Sequence, residues 1–511
     1  MYREFVERHR ETILEVERYL WKHPETGYKE WNTQNYLAQI LEQAGYTLRY
    51  AGDIPGFYTD LDTGRPGPKI LILGEMDALL APEHPESVDG CIHACGHHAQ
   101  CAALVGTALA LKEPGAMDGL CGSIRLMAVP AEEMIELKFR EDLRTRGVIH
   151  YYGGKTEFLY RGYLDGCQVA YLNHVRTGID HARFDFNDSN GFMVKTATYR
   201  GRAAHAGGSP QKGINALYAA SLGLQAINSL RETFCDSDHI RVHPILTEGG
   251  STVNTIPDKA VISTYIRGAT MEAIAQSSRK VDRALAAGAL ALGAELEVSD
   301  RPGYAPLRND RCLLETARQV MAELVGEENV VELPWGSGST DMGDLSCVMP
   351  TLHAHVSGGS GRAHGDDFFI TDPETCCVRS AAAQTMLAAA LLENGAARGG
   401  EVLASSTPRY PNRQSYAAGS ATGKYTVTIP FTAYGTGYTG TSFKAVAKEI
   451  TDAYKNAMYV MEMSIPCGIC IFSITHRCVN SINEGYCSIR PYRLKKSRNP
   501  IFWETTSDTI V

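Results

Sequence analysis

Lys69-Ile70-Leu71-Ile72-Leu73-Gly74 is a short, nearly unbroken apolar run. A run of this length that stops at glycine reads as a strand buried on both faces. Downstream, Cys91–Cys101 (Cys-Ile-His-Ala-Cys-Gly-His-His-Ala-Gln-Cys) leads into the small, apolar stretch Ala99–Leu111, which reads as a packed helix. Ser123–Val129 (SIRLMAV) predicts a second strand and Gln168–Leu172 a third, ending near His174. Strands alternating with helices imply an α/β fold with a mostly parallel sheet covered by helices. In such sheets, sites lie just beyond the carboxyl ends of strands. Asp77, Glu132, Glu133 and His174 all fall there.

Upstream, Phe5, Ile13, Leu14, Val16 and Leu20 recur among charges, so residues 3–22 predict an amphipathic helix ended by His23-Pro24-Glu25-Thr26-Gly27. Asn32–Ala44 predicts a second helix, stopped by Gly45. The pattern changes near 186. Met193–Tyr199 alternates, Ser209–Ser229 reads as helix, Ile240–Leu246 and Lys259–Arg267 as strands, and the alanine-rich Thr270–Ala291 as helix. This βαββα unit has the size of an inserted α+β domain. Signals of the first domain resume at 310–330, 350–356 and 374–393. The expected division is therefore a first domain at 1–185 and 301–395, an inserted domain at 186–300, and a C-terminal extension at 396–511.

The net charge of -9 offers no general basic field for nucleic acid or anionic lipid. The charged N-terminus (MYREFVERHR) lacks a signal-peptide core. With fourteen scattered cysteines, cytoplasmic thiols and metal ligands are expected rather than disulfides. Residues 401–511 differ, with 12 Lys+Arg against 7 Asp+Glu and nine tyrosines. Cys467-Gly-Ile-Cys470 has half a zinc-knuckle spacing, but Cys478 and Cys487 are not closely paired. Asn456–Thr475 is barely long enough to span a bilayer and carries Glu462 and Pro466, so a buried strand–turn–strand is expected.

Amide hydrolysis needs an activated water, a polarised carbonyl and a proton for the leaving nitrogen. Cys95 and His97 are metal-ligand types two residues apart, and Pro130-Ala131-Glu132-Glu133 adds a carboxylate pair. Together with His174 and His364 they form a candidate ligand set. Glu132, beside a candidate ligand, is the candidate base. Asp77 is placed to orient a ligating histidine.

At this point the residues carry a resemblance. His23-Pro-Glu-Thr-Gly27, Gly74-Glu-Met-Asp-Ala78, His93-Ala-Cys-Gly-His97, Pro130–Glu133, Ala204-His-Ala206, Gly213–Leu217, Asn254-Thr-Ile-Pro257, Gly338-Ser-Thr-Asp341 and Ala363-His364 occur in one order over roughly 1–395. The set resembles the amidohydrolase branch of the co-catalytic metallopeptidases. That branch includes hippurate hydrolase, N-acyl-amino-acid hydrolases, aminobenzoyl-glutamate hydrolase and Xaa-Arg-type dipeptidases. The resemblance implies two divalent ions, manganese or zinc, on Cys95, His97, Glu133, His174 and His364, with Glu132 as general base. It implies a small amide or dipeptide substrate, and a homodimer formed through the inserted domain. In that dimer His205 from one subunit would reach the substrate carbonyl of the other. It places Asn254 and Arg267 near a substrate carboxylate, a role suited to the planar guanidinium. Ser339 and Thr340, in the Gly336–Thr340 loop, would add donors.

Two departures stand out. His98 occupies a position where the family usually has Asp or Asn. Residues 134–165 are longer and more charged than the glycine-rich link of hippurate-type members, which favours the aminobenzoyl-glutamate and dipeptidase side. Two rivals remain: an inactive ligand-binding or interaction protein on this scaffold, and a related metal-dependent aminopeptidase, against which a cysteine ligand argues. His93, Cys101, His353 and His355 read as core or strand residues, and His23 as a helix cap.

Overall fold

The computed structural model describes residues 1–410, together with the backbone of two short strand pairs, Thr426–Thr428 with Lys444–Val446 and Val460–Met461 with Ile474–Thr475. Apart from those pairs, the stretch at 456–475 and the cysteines from Cys467 to Cys487 lie outside the described residues.

The apolar run Lys69–Gly74 lies in the Lys69–Glu75 strand. It is hydrogen-bonded in parallel on both sides, to Ser123–Val129 and to Val169–Thr177. Ile70, Leu71, Ile72 and Leu73 are each no more than 1% exposed. That explains their lack of alternation, since a strand covered on both faces has no polar side. From edge to edge the sheet runs Arg49–Tyr50, Phe57–Asp62, Ser123–Val129, Lys69–Glu75, Val169–Thr177, Thr351–Ser360, Phe184–Phe186 and Val330–Glu332. The central pairings are parallel, while Phe57–Asp62 on one side and Phe184–Phe186 on the other pair antiparallel with their inner neighbours.

The His97–Leu111 helix lies under this sheet, and fourteen of its fifteen residues are buried. Small side chains permit that depth. A Cβ at Gly106 would fall 2.6 Å from Ile13 Cδ1 and 2.9 Å from the Ala381 Cβ, so two neighbouring helices pack directly on the backbone. The N-terminal amphipathic segment is two helices, Tyr2–Arg8 and Arg10–Lys22, broken at His9. Among the described residues, one helix, Glu374–Ser405, is long and apolar enough to cross a membrane; 83% of its apolar stretch is buried inside the fold, as expected of a core helix.

Residues 191–302 form a second, wholly antiparallel sheet in the order Arg241–Val242, Lys259–Gly268, Gly191–Arg200, Glu295–Pro302, with Ile245–Glu248 also on Lys259–Gly268. Two helices, Ala216–Asn228 and Met271–Leu292, cover one face. Lys259–Gly268 alternates between buried and less buried residues along its length, the signature of a strand with one covered face. The predicted helix at Ser209–Ser229 begins only at Ala216, after a 3₁₀ turn at Pro210–Lys212. Asn215 caps it by accepting the Tyr218 N–H. The structure adds the strand Glu295–Pro302, beyond the βαββα pattern read from the sequence.

Candidate metal centre and active site

Cys95 and His97 are brought together by one turn. Gly96 between them has φ +84, a left-handed conformation that glycine adopts without penalty, and it starts the His97–Leu111 helix. A Cβ there would also meet the Val175 side chain at 2.7 Å. His174 lies within the Val169–Thr177 strand, three residues before its end, rather than beyond it as the sequence suggested. From there its Nε2 sits 3.3 Å from Cys95 Sγ. Glu132 and Glu133 follow the Ser123–Val129 strand. His364, at φ +64, is anchored by donating its amide to the Ala94 carbonyl at 2.9 Å, and its Nε2 lies 3.1 Å from Glu133 Oε1.

Donor atoms of Cys95, His97 and His174 all lie within 4.8 Å of one another, as do those of Cys95, Glu133 and His364. The two triads share the cysteine. Among the buried side-chain atoms, His97 Nε2 and Glu133 Oε1 make no hydrogen bond of good geometry. On the far side of the ring, His97 Nδ1 is 2.9 Å from the Asp77 carbonyl and 3.2 Å from its Oδ1, which fixes the ring orientation and turns Nε2 toward the other donors. The other Asp77 oxygen accepts the Glu133 N–H at 2.8 Å. Burial and the charge of Glu133 hold the Cys95 thiol well above its ordinary pKa. Burial and the neighbouring His97 push His174 down to about 4, keeping it a neutral imidazole. Soft and borderline donors, a neutral ring and a thiol that ionises only beside a cation fit a divalent transition-metal ion.

Glu132 is half-buried, with a carboxylate oxygen within 4.8 Å of donor atoms of His97 and Glu133. Among the described hydrogen bonds and ion pairs, none engages its carboxylate. Burial, then Glu75, Glu133 and Asp341, hold that carboxyl well above the usual range. Such a group can take a proton near neutral pH.

Arg267 donates to Ser339 Oγ at 2.8 Å and lies over the Phe192 and Tyr265 rings, with no carboxylate partner among the described residues. Burial lowers its pKa. Thr340 is buried and its Oγ1 accepts the Met342 N–H at 3.2 Å. His205 and Asn254 are exposed and close together, the Ala206 N–H donating to the Asn254 carbonyl at 2.9 Å. Among the described hydrogen bonds and ion pairs, none links either residue to the Cys95–His364 cluster.

The structure also shows a charged cluster that the sequence reading missed. Lys155 Nζ, fully buried, contacts both Glu75 and Asp341. Glu75 Oε2 lies 3.1 Å from His97 Nε2 and accepts from Gln100 at 2.8 Å. Lys155, then His97, hold Glu75 well below the usual carboxylate range against the effect of burial. Glu75 and Asp341 lie inside the Gly74–Ala78 and Gly338–Asp341 motifs, but Lys155 lies in none of the motifs. The available signal was Gly153-Gly154, since a Cβ at Gly154 would lie 1.6 Å from the Pro130 carbonyl oxygen.

His98 turns away from the donor cluster, its Nε2 3.3 Å from Glu17 Oε1 and its ring against Trp21 and His93. Cys101 Sγ donates to the Glu75 carbonyl. His23 ends its helix and stacks on Tyr19.

The profile of peptidase family M20/M25/M40 matches residues 71–390, and the chain belongs to that family. It is thus a hydrolase of amide or peptide bonds. Human Xaa-Arg dipeptidase is 27% identical over 373 residues, covering 68% of this chain and 77% of the relative. The Arabidopsis thaliana IAA-amino acid hydrolase ILR1-like 4 is 26% identical over 355 residues, covering 66% and 75%. The fold is that of a dinuclear metal-binding M20 peptidase from Bacillus subtilis, with TM-score 0.58 and 21% identity over 76% of this chain and 99% of that one.

Proposed function

We propose that the chain is a dinuclear metal-dependent amidohydrolase that cleaves an N-acyl or aminobenzoyl amino acid, or a dipeptide, at an amide next to a free carboxylate. The observation that carries this reading is the pair of donor triads sharing Cys95, with the unengaged Glu132 carboxyl beside them. Cys95, His97 and His174 would hold one divalent ion and Cys95, Glu133 and His364 the other, manganese or zinc. Such ions supply Lewis acidity, polarising a carbonyl and making water a usable nucleophile near neutral pH. Glu132 takes the proton of the attacking water and delivers it to the leaving nitrogen. His205 Nδ1 accepts from the Gly207 and Gly208 amides at 3.2 and 2.9 Å, so its Nε2 carries the proton and can donate to the carbonyl oxygen.

The domain division of 1–185 with 301–395, 186–300 and 396–511 goes with this reading. So does a homodimer in which His205 serves the partner's site. The dimer is supported by exposed Tyr218 and Leu222 on one helix and Ile245 and Leu246 on an adjoining edge strand. A cytoplasmic location is supported by the ten described cysteines, all free.

Dialysis against a chelator should abolish turnover, and manganese or zinc should restore it. A chelated protein that keeps full activity would sink the proposal. A panel of hippurate-like, aminobenzoyl-glutamate and dipeptide substrates then selects among the acyl groups. Arg267→Met should raise KM for a free-carboxylate substrate by about 10- to 100-fold, the range for a lost hydrogen bond to a charged group. Its effect on the matching carboxamide should be small. Equal effects on both would remove Arg267 from carboxylate binding.

A further inference from the structure

The turn that presents Glu132 and Glu133 is held by side chains. Ala131, immediately before them, is a non-glycine residue at φ +58, a conformation that persists only where the surroundings enforce it. Its N–H donates to the buried Glu30 carboxylate at 2.8 Å. The Glu133 N–H donates to Asp77. The three consecutive carbonyls are also taken. The Glu132 carbonyl accepts from Tyr304 OH at 2.5 Å. The Ala131 and Glu133 carbonyls both accept from one guanidinium, that of Arg140, which also donates to the Tyr152 carbonyl at 2.7 Å.

Arg140 is fully buried, lies over the Tyr28 ring, and makes all three of these hydrogen bonds to backbone oxygen. A guanidinium taken out of water for carbonyl partners is placed for geometry, because its planar fork fixes several acceptors at once. Arg140 sits on the Leu137–Thr145 helix, inside the 134–165 segment that departs from the glycine-rich link of hippurate-type members. Here Met134-Ile135 follows the glutamates, so no glycine relaxes the turn. Gly27 leaves the clamp its room: a Cβ there would lie 2.4 Å from Arg140 Nη2 and 3.0 Å from Ala131 Cα.

We infer that Arg140 is a positioning residue, clamping the Ala131–Glu133 turn so that Glu133 faces the metal centre and Glu132 the reacting bond. The inference rests on the metal-centre reading above. Its test is cobalt(II) titration of the full chain, read by the thiolate-to-cobalt absorption from Cys95, alongside kcat and KM. Outer partners of metal ligands carry about 10- to 100-fold in affinity or activity. Arg140→Lys should therefore weaken cobalt binding and lower kcat by about that factor, with KM within about twofold. Gly27→Ala should act in the same direction by pushing on the same guanidinium, and it decides the matter if Arg140→Lys does not fold. A lower melting temperature with cobalt affinity and kcat unchanged would mean a purely structural arginine and overturn the inference. A wild-type chain that binds no cobalt would overturn the metal-centre reading, and the clamp with it.

Discussion

Glu132→Gln is expected to lower kcat by about 10²- to 10⁴-fold, the range carried by a positioned general acid–base group. Bound metal should stay at the wild-type level. The amide keeps the shape of the carboxylate but cannot accept the water's proton. None of the described hydrogen bonds or ion pairs engages the Glu132 side chain, so the substitution breaks no recorded contact. Its carboxyl oxygen lies within 4.8 Å of donor atoms of His97 and Glu133, close to the donors yet outside both Cys95 triads. Turnover of the metal-loaded variant, with metal content measured on the same sample, checks the expectation. Wild-type kcat would remove Glu132 from the proton transfer. A parallel loss of metal would make it a ligand.

The second large effect is on stability. Lys155→Met should destabilise the fold by about 3–5 kcal/mol, the cost of removing one partner from a buried ion cluster. That is a large part of the about 5–15 kcal/mol that holds a typical domain. The Lys155 side chain is fully buried between Glu75 and Asp341, themselves buried. Without the ammonium, two carboxylates are left facing each other in a low-dielectric interior. Burial already pushes Asp341 up to about 6, with Glu75 adding to it and Lys155 opposing. The structure therefore predicts that Lys155→Met combined with Glu75→Gln recovers part of the loss. Urea unfolding of the three variants reads this directly. A Lys155→Met shift below about 1 kcal/mol, the level of an exposed pair, would contradict it.

Much of the fold was legible in short windows. The apolar run before Gly74, the small-residue helix after His97 and the alternation along Lys259–Gly268 each report local burial, and burial is what periodicity records. Finer detail was less legible. The break at His9 and the late start of the helix at Ala216 depend on turn geometry that apolar spacing does not show. His174 read as lying beyond its strand because a histidine after an apolar run looks like an end. The strand in fact continues to Thr177, paired with Thr351–Ser360, a partner nearly two hundred residues away.

Of the Cys91–Cys101 run, the sequence by itself picked out Cys95 and His97 and linked them, through the order of the surrounding motifs, to Glu133, His174 and His364. The tertiary structure brings those five together. It also decides what the sequence left open in the same run, turning His98 toward Glu17 and away from the donors. The charged layer beneath the site, Lys155 with Glu75 and Asp341, and the Arg140 clamp belong to the tertiary structure alone. The reason is physical. Strand and helix signals arise from neighbours within a few residues, whereas Lys155 and Asp341 are 186 residues apart in sequence and meet only when distant segments close one interior. Inside that interior an ionised side chain persists only when paired, so its burial is a property of the assembled fold.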